Sequence, residues 1–387
     1  MHVGCADQVC LGSNDPCEDC TNQSTVVAPG GFWAFFGLYD GHNGPQTADW
    51  LGMNLANLLL QGISDLFASL RDVTGFGEPP IDAVEERMKV VFNIVDDALV
   101  QKAAQEALAA DTREVALDHL SLARSGSCAI LAFYDSCTRL LRVANVGDSR
   151  AVLGRRVSSS DGSGHYYAVY ELTVDQNGHN PAEESRLLSQ HPGELIIQRG
   201  RVLGWGVSRA FGNGTYKWPL SVQEQLVKRK LIYPPPPNVK TPPYLIAEPE
   251  VTTIEVRPGD FLILASDGLW EWMTNEDAVG LVGWWLDEKP PGSKVSGQGA
   301  PRTLLPKELP VRGDHDPDAV RVRIPNTEPY YVNIDENAAT HLVRNALGGA
   351  DEELRRRLLE MEAPESRRRR CVATSAFGFH LLKPPQR

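Results

Sequence analysis

A chain of 387 residues with 42% hydrophobic content can fill one large core or two ordinary ones, and it reads as globular. Its formal charge of -12 argues against nucleic acid as the main ligand, and no stretch approaches about 18 uninterrupted apolar residues, which argues against a membrane span. The Met1 end carries neither a secretory apolar core nor an Arg-rich amphipathic segment, so no targeting address is legible in this chain.

The first thirty residues are polar and turn-rich. They hold four of the seven cysteines, Cys5, Cys10, Cys17 and Cys20; the others are Cys128, Cys137 and Cys371. An odd count fits a reducing compartment. The two-residue spacing of Cys17 and Cys20 suits a zinc or redox pair, but no second pair with matching His or Cys accompanies it.

Gly31 to Tyr39 reads as a buried strand that runs out at Asp40-Gly41-His42-Asn43-Gly44. A carboxylate at a strand end, beside a glycine whose carbonyl can also face a ligand, suits a hard cation such as Mg²⁺ or Mn²⁺. Asp-Gly is equally the commonest turn dipeptide, so this stretch alone supports either reading. Ala48, Leu51, Leu55 and Leu59 predict a helix over Gln46 to Leu70. Val84, Met88, Val91, Val95 and Leu99 predict a second from about Asp82, antiparallel to the first.

From Gly126 the period changes to two. Ser127 to Tyr134 and Arg139 to Val146 form a hairpin about Asp135 to Thr138. Ser149 to Arg155 follows Gly147-Asp148, and Tyr166 to Thr173 follows a polar loop at Ser158 to Gly164. Pro234 to Pro237, with Pro242 and Pro243, predict a stiff surface loop. Val251 to Val256 and Phe261 to Ser266 read as strands about Pro258-Gly259-Asp260, and the second ends in Asp267-Gly268. Helices are predicted over Asn275 to Leu286, Glu336 to Leu347 and Glu352 to Met361, with a mobile insertion over 288–328. Without regular strand-helix-strand alternation, these elements predict a layered α+β domain, antiparallel sheets sandwiched between helices.

Three apolar strands therefore end alike, at Asp40-Gly41, Gly147-Asp148 and Asp267-Gly268. Carboxylates gathered at one rim could hold two cations that share a water and grip phosphate oxygens. His42 is placed to protonate a leaving alkoxide, since imidazole carries a proton near neutral pH.

The segments Tyr39 to Gly44, Ser125-Gly126-Ser127, Ala144 to Arg150, Val207 to Gly212 and Leu264 to Trp270 resemble, in order, the motifs of the metal-dependent protein serine/threonine phosphatases of type 2C. Further segments, Asp175 to Asn180, Arg186-Leu187, His191 to Glu194, Thr241 to Leu245 and Asn337 to Leu342, are similar to the branch of the mitochondrial pyruvate dehydrogenase phosphatases and their fungal relatives. Asn14 in place of the general family's phosphate-anchoring Arg, and Glu271 in place of its usual Asp, resemble that branch too.

The resemblance implies a four-layer αββα sandwich of two antiparallel sheets flanked by helix pairs, with a phosphatase domain over 1–370 and an atypical tail over 371–387. It implies hydrolysis of phosphoserine and phosphothreonine on a phosphoprotein substrate, such as pyruvate dehydrogenase, in mitochondria, with two or three Mg²⁺ or Mn²⁺ ions. Asp40 would bridge two metals, Gly41 would offer its carbonyl, and Asp267 would hold the second metal. Asp148 and Glu271 would serve a weaker third; Glu18 and Asp19 would support these ligands; His42 would be the general acid. Arg209 is expected to support the sheet or a loop, and the Tyr233 to Pro243 segment falls in the family's substrate-side flap region or is a plain rigid loop.

Three features depart from the family pattern. The basic run Arg367 to Arg370 leads into Cys371-Val372-Ala373-Thr374, where the family has a metal-binding acid, and no acid follows Glu365. Only about a dozen residues are available ahead of Glu18-Asp19 for the strand that family members carry there, and Asn213 stands where the family usually has Asp. Because the last metal-ligand acid is missing, a truncated or degenerate, non-catalytic relative that only binds phosphoprotein is the competing expectation.

Overall fold

The computed structural model describes residues 3–12, 16–28, 30–74, 79–159, 162, 164–288, 302–312, 330–361 and 378–381, with backbone alone for 3–6, 71–74 and 378–381. Asn14, Arg367 to Arg370 and Cys371 lie outside the described residues.

The strands are β1 (Val3–Asp7), β2 (Cys20–Ala28), β3 (Gly31–His42), β4 (Gly126–Asp135), β5 (Leu140–Val146), β6 (Arg150–Ser158), β7 (His165–Glu171), β8 (Ile197–Gln198), β9 (Arg201–Val202), β10 (Phe211–Gly212), β11 (Glu250–Glu255), β12 (Phe261–Ala265), β13 (Thr303–Leu304), β14 (Tyr331–Val332) and β15 (Gly378–Leu381). The helices are α1 (Gln46–Thr74), α2 (Ile81–Asp97), which a π-turn at Ala98–Lys102 joins to α3 (Ala103–Ala109), α4 (Arg113–His119), α5 (Ser121–Arg124), α6 (Pro181–Gln190), α7 (Leu220–Lys228), α8 (Asp267–Trp270), α9 (Asn275–Glu288), α10 (Ala338–Ala346) and α11 (Glu352–Glu360).

One antiparallel sheet has the order β11-β5-β4-β3-β2, with β10 also paired to β4; a second has the order β12-β6-β7. Side chains alternate across a strand, and both faces of the central strands β3, β4, β5 and β12 are covered. From β3, Ala34, Phe36 and Leu38 point between the sheets, where they meet Ala151, Leu153, Leu262 and Leu264. The intervening Trp33, Phe35 and Tyr39 face a layer built on Leu51, Leu55, Leu59 and Phe92 of α1 and α2. On the far side, Phe261, Ile263 and Ala265 meet Leu281, Trp284 and Leu342 of α9 and α10. The result is the expected αββα order, and two covered faces explain why β3 and β4 are near-continuous apolar runs.

Several elements differ from the sequence expectation. Strand β2 lies in the segment read as polar turns; it is an edge strand paired to β3 alone, with alternate residues exposed, so its Thr, Asn, Gln and Ser are tolerated. A strand does precede Glu18: β1 pairs with β15, which lies beside β12. The segment 302–312 of the expected mobile insertion is packed. Leu304 and Leu309 are buried, β13 pairs with β14, and the Tyr167 N–H donates to the Pro310 carbonyl at 2.8 Å. Two leucines amid Pro and charge are enough to anchor it to the second sheet; 289–301 and 313–329 lie outside the described residues. The turn at Pro258-Gly259-Asp260 carries the chain from the first sheet to the second, and Asp260 there is buried against Arg155 at 2.6 Å.

Candidate metal centre

Asp40 sits near the end of β3, Asp148 just past β5, and Asp267 just past β12. The first two belong to one sheet and the third to the other, and the sandwich brings their ends to one rim. Each of the three carboxylates offers an oxygen within 4.8 Å of the other two. Glu18, Asp19 and Glu271 are not part of this trio.

Local backbone geometry sets each arm. Gly147 has φ 109°, and a Cβ there would come within 2.4 Å of Cys128 Sγ, so the turn into Asp148 needs glycine on both counts. Its N–H donates to Gln176 Oε1 at 2.8 Å, and the Cys128 thiol faces Asp148 Oδ1 at 3.6 Å. Gly41 packs so closely on Glu18 that a Cβ would lie 2.1 Å from the Glu18 carbonyl oxygen. Glu18 itself accepts the Gly44 N–H at 2.6 Å through Oε1, which fixes the turn after His42. Glu271 closes α8, its N–H donating to the Asp267 carbonyl at 2.8 Å.

The electrostatics are those of a site short of positive charge. Burial raises the Asp40 carboxyl well above the aspartate range, and Asp19, Asp267 and Asp148 add to the rise against the opposing Asp267 N–H. Asp19 is raised as well, by burial first and then by Cys17 and Asp267. Among the described residues its Oδ2 is buried with no hydrogen-bond partner. Hard oxygen donors that repel one another, with an orphaned carboxylate oxygen alongside, fit a pair of divalent cations.

His42 is held by Asn213, which the sequence marks only as a substitution. Its Nε2 lies 2.9 Å from Asn213 Oδ1, and Trp205 packs on the ring at a centroid distance of 5.3 Å. Strand β4 explains the meeting: Gly126 pairs with His42 on one side and Gly212 on the other. A Cβ on Gly126 would stand 2.2 Å from Asn213 Oδ1 and 2.4 Å from His42 Nε2. Asn213 adopts the left-handed region, φ 53°, which asparagine tolerates better than most residues. Burial lowers the His42 pKa, and Asn213 partly offsets that.

Arg209 is a supporting residue. It donates to Glu183 Oε1 at 2.6 Å and to the Glu248 carbonyl at 2.8 Å. The proline loop is tied to the β8–β9 hairpin side: Thr241 Oγ1 and Tyr244 OH donate to Glu194 at 2.5 and 2.7 Å, and Val239, Tyr244 and Leu245 pack on Leu187, Ile196 and Val202. That hairpin leads directly into Trp205, which bridges His42 and Tyr216.

The protein phosphatase 2C family model matches residues 12–300. A protein phosphatase 2C homolog of Schizosaccharomyces pombe is 37% identical over 376 residues, 95% of this chain and 78% of that protein. The mitochondrial pyruvate dehydrogenase (acetyl-transferring) phosphatase 1 of Saccharomyces cerevisiae is 33% identical over 89% of this chain, which spans 61% of its length. Human phosphatase 1 of that name is 37% identical over 59% of this chain and 42% of its own. The crystal structure of a serine-threonine phosphatase 2C from Toxoplasma gondii superposes over 97% of this chain and 92% of its own with a TM-score of 0.54; at 18% identity it shows the shared fold. The αββα sandwich, the family model and the long fungal match agree, and the chain belongs to the protein phosphatase 2C family of metal-dependent serine/threonine phosphatases.

Proposed function

We propose that this chain removes phosphate from phosphoserine and phosphothreonine on proteins, using two or three Mg²⁺ or Mn²⁺ ions. The convergence of Asp40, Asp148 and Asp267 carries this reading. Asp40 would bridge two ions, with the Gly41 carbonyl and Asp267 completing their protein ligands; Asp148 and Glu271 would take a third, and Glu18 and Asp19 would back these ligands. Bound there, the ions neutralise phosphate oxygens and lower the pKa of a water toward neutrality.

The chain's own residues supply the rest. His42 delivers a proton to the leaving serine or threonine oxygen, and Asn213 fixes its ring from the opposite side of Gly126. Trp205 shelters the imidazole. The names of the yeast and human relatives support pyruvate dehydrogenase as substrate and the mitochondrion as location. The phosphatase domain is proposed to extend over 1–370 with 371–387 as its tail, and among the described residues no helix is long and apolar enough to cross a membrane.

The test is phosphate release from a phosphoserine peptide with millimolar Mn²⁺ or Mg²⁺, absent with a chelator. No release at any metal concentration overturns the reading, and phosphopeptide retention without release supports the non-catalytic relative instead.

Asn213→Asp probes the proton donor. A carboxylate 2.9 Å from Nε2 favours the imidazolium, so the His42 pKa rises and the acid form persists to higher pH. The alkaline limb of kcat should move upward by about one pH unit, read from a pH-rate profile. An unmoved limb removes His42 from the role of acid.

A further inference from the structure

The two-residue spacing in the sequence pairs Cys17 with Cys20, but the fold pairs Cys17 with Cys10. The Cys10 and Cys17 sulfurs stand 3.3 Å apart at the surface, and neither is in a disulfide. Cys20 is turned away. It lies in β2 with its sulfur against α1, where a Cβ on Gly52 would meet it at 2.4 Å, and its thiol faces the Thr21 carbonyl at 3.9 Å.

A disulfide bond is about 2.05 Å long, so Cys10 and Cys17 need to close only about 1.3 Å. Cys10 is exposed and Cys17 half-buried, so an oxidant from solvent can reach the pair. Among the described residues the cysteines join no cluster of metal-ligating side chains, which leaves thiol chemistry as the use of the pair.

From this geometry we infer that Cys10 and Cys17 form a reversible redox site, oxidised to a disulfide by a hydroperoxide. One sulfur of the pair attacks the outer peroxide oxygen, the O–O bond breaks, and the remaining oxygen leaves as an alcohol, or as water when the oxidant is hydrogen peroxide. The other sulfur then attacks the resulting sulfenic acid and expels its oxygen as water. Two thiols lose two electrons to the peroxide bond, and their two protons leave on its two oxygens. A dithiol reductant reverses the bond by exchange.

The experiment uses the full chain with hydrogen peroxide, then blocking of free thiols and cleavage before aspartate. That cleavage places Cys10, Cys17 and Cys20 on separate peptides, 7–14, 15–18 and 19–39. Peptides 7–14 and 15–18 should be recovered joined, and separate after dithiothreitol. Cys20→Ser should retain the cross-link, while Cys10→Ser and Cys17→Ser each abolish it. A cross-link between 15–18 and 19–39, over-oxidation of either thiol without a cross-link, or recovery of both thiols unreacted overturns the inference. Mass mapping reads the sulfur chemistry alone, so its outcome is independent of whether the chain hydrolyses phosphate.

Discussion

Asp40→Asn should abolish metal-dependent phosphate release, a loss of about 4 kcal/mol of transition-state stabilisation or on the order of a thousandfold. The same change should make the metal-free protein more stable at neutral pH. Burial and the facing Asp19, Asp267 and Asp148 carboxylates hold the Asp40 pKa above its unfolded value. Its contribution to stability is therefore fully present below the ordinary aspartate value of 3.8 and is lost as pH rises through the elevated folded value. Asparagine keeps the shape and never takes the charge, so the metal-free variant escapes that loss, and the gap from wild type closes on acidification. Added Mn²⁺ should raise the melting temperature of wild type and leave the variant nearly unmoved. Thermal melts with and without metal check all three statements. A variant that melts lower without metal, or still responds to Mn²⁺ as wild type does, would contradict the assignment of Asp40 as a ligand.

Glu183→Ala should be among the most destabilising single changes, by about 3–5 kcal/mol, because it leaves buried charge without its partner. Glu183 on α6 is only 1% exposed, and it receives Arg209 at 2.6 Å, Arg186 at 2.8 Å and the Ser208 hydroxyl at 2.6 Å. Burial alone would push this carboxyl up; the bonds from Arg209, Arg186 and Ser208 outweigh it and hold the pKa down to about 2. The stabilisation is present above the unfolded value of 4.5 and is lost as pH falls from there toward 2. Urea midpoints should drop at neutral pH, and the acid limb of stability should flatten in the variant. Glu183→Gln, which keeps an acceptor but not the charge, should fall between the two. The segment that Glu183 holds runs on from Ser208 and Arg209 to Asn213, so damage here also reaches His42.

The layered fold was legible because its central strands are apolar on both faces and its helices keep a three-to-four spacing, as in Leu51, Leu55 and Leu59. Strand β2 was not legible, because an edge strand half in water needs no apolar alternation. Helices α6 and α7 leave little trace in the sequence for a similar reason: each is short with most of its surface polar, and α6 buries only Glu183 and Leu187. At the rim, three strand ends in Asp-Gly or Gly-Asp marked the carboxylates. Asn213 carried no such mark. Its importance comes from β10 pairing with β4 across Gly126, a contact between residues far apart in sequence that no local pattern encodes. Likewise the spacing of Cys17 and Cys20 suggested a pair that the fold separates.

The trio of aspartates draws on both sheets, and Asp40 and Asp267 lie more than half the chain apart. A cation held among them is a cross-link between layers, made only when the two sheets have docked in register. Species in which one sheet has formed and the other has not lack the complete trio, so tight metal retention reports the last stages of assembly rather than the first. With a cation bound, the proposed metal-binding rim would double as a clasp for the sandwich, and scarcity of metal should loosen the seam between the sheets before it loosens either sheet.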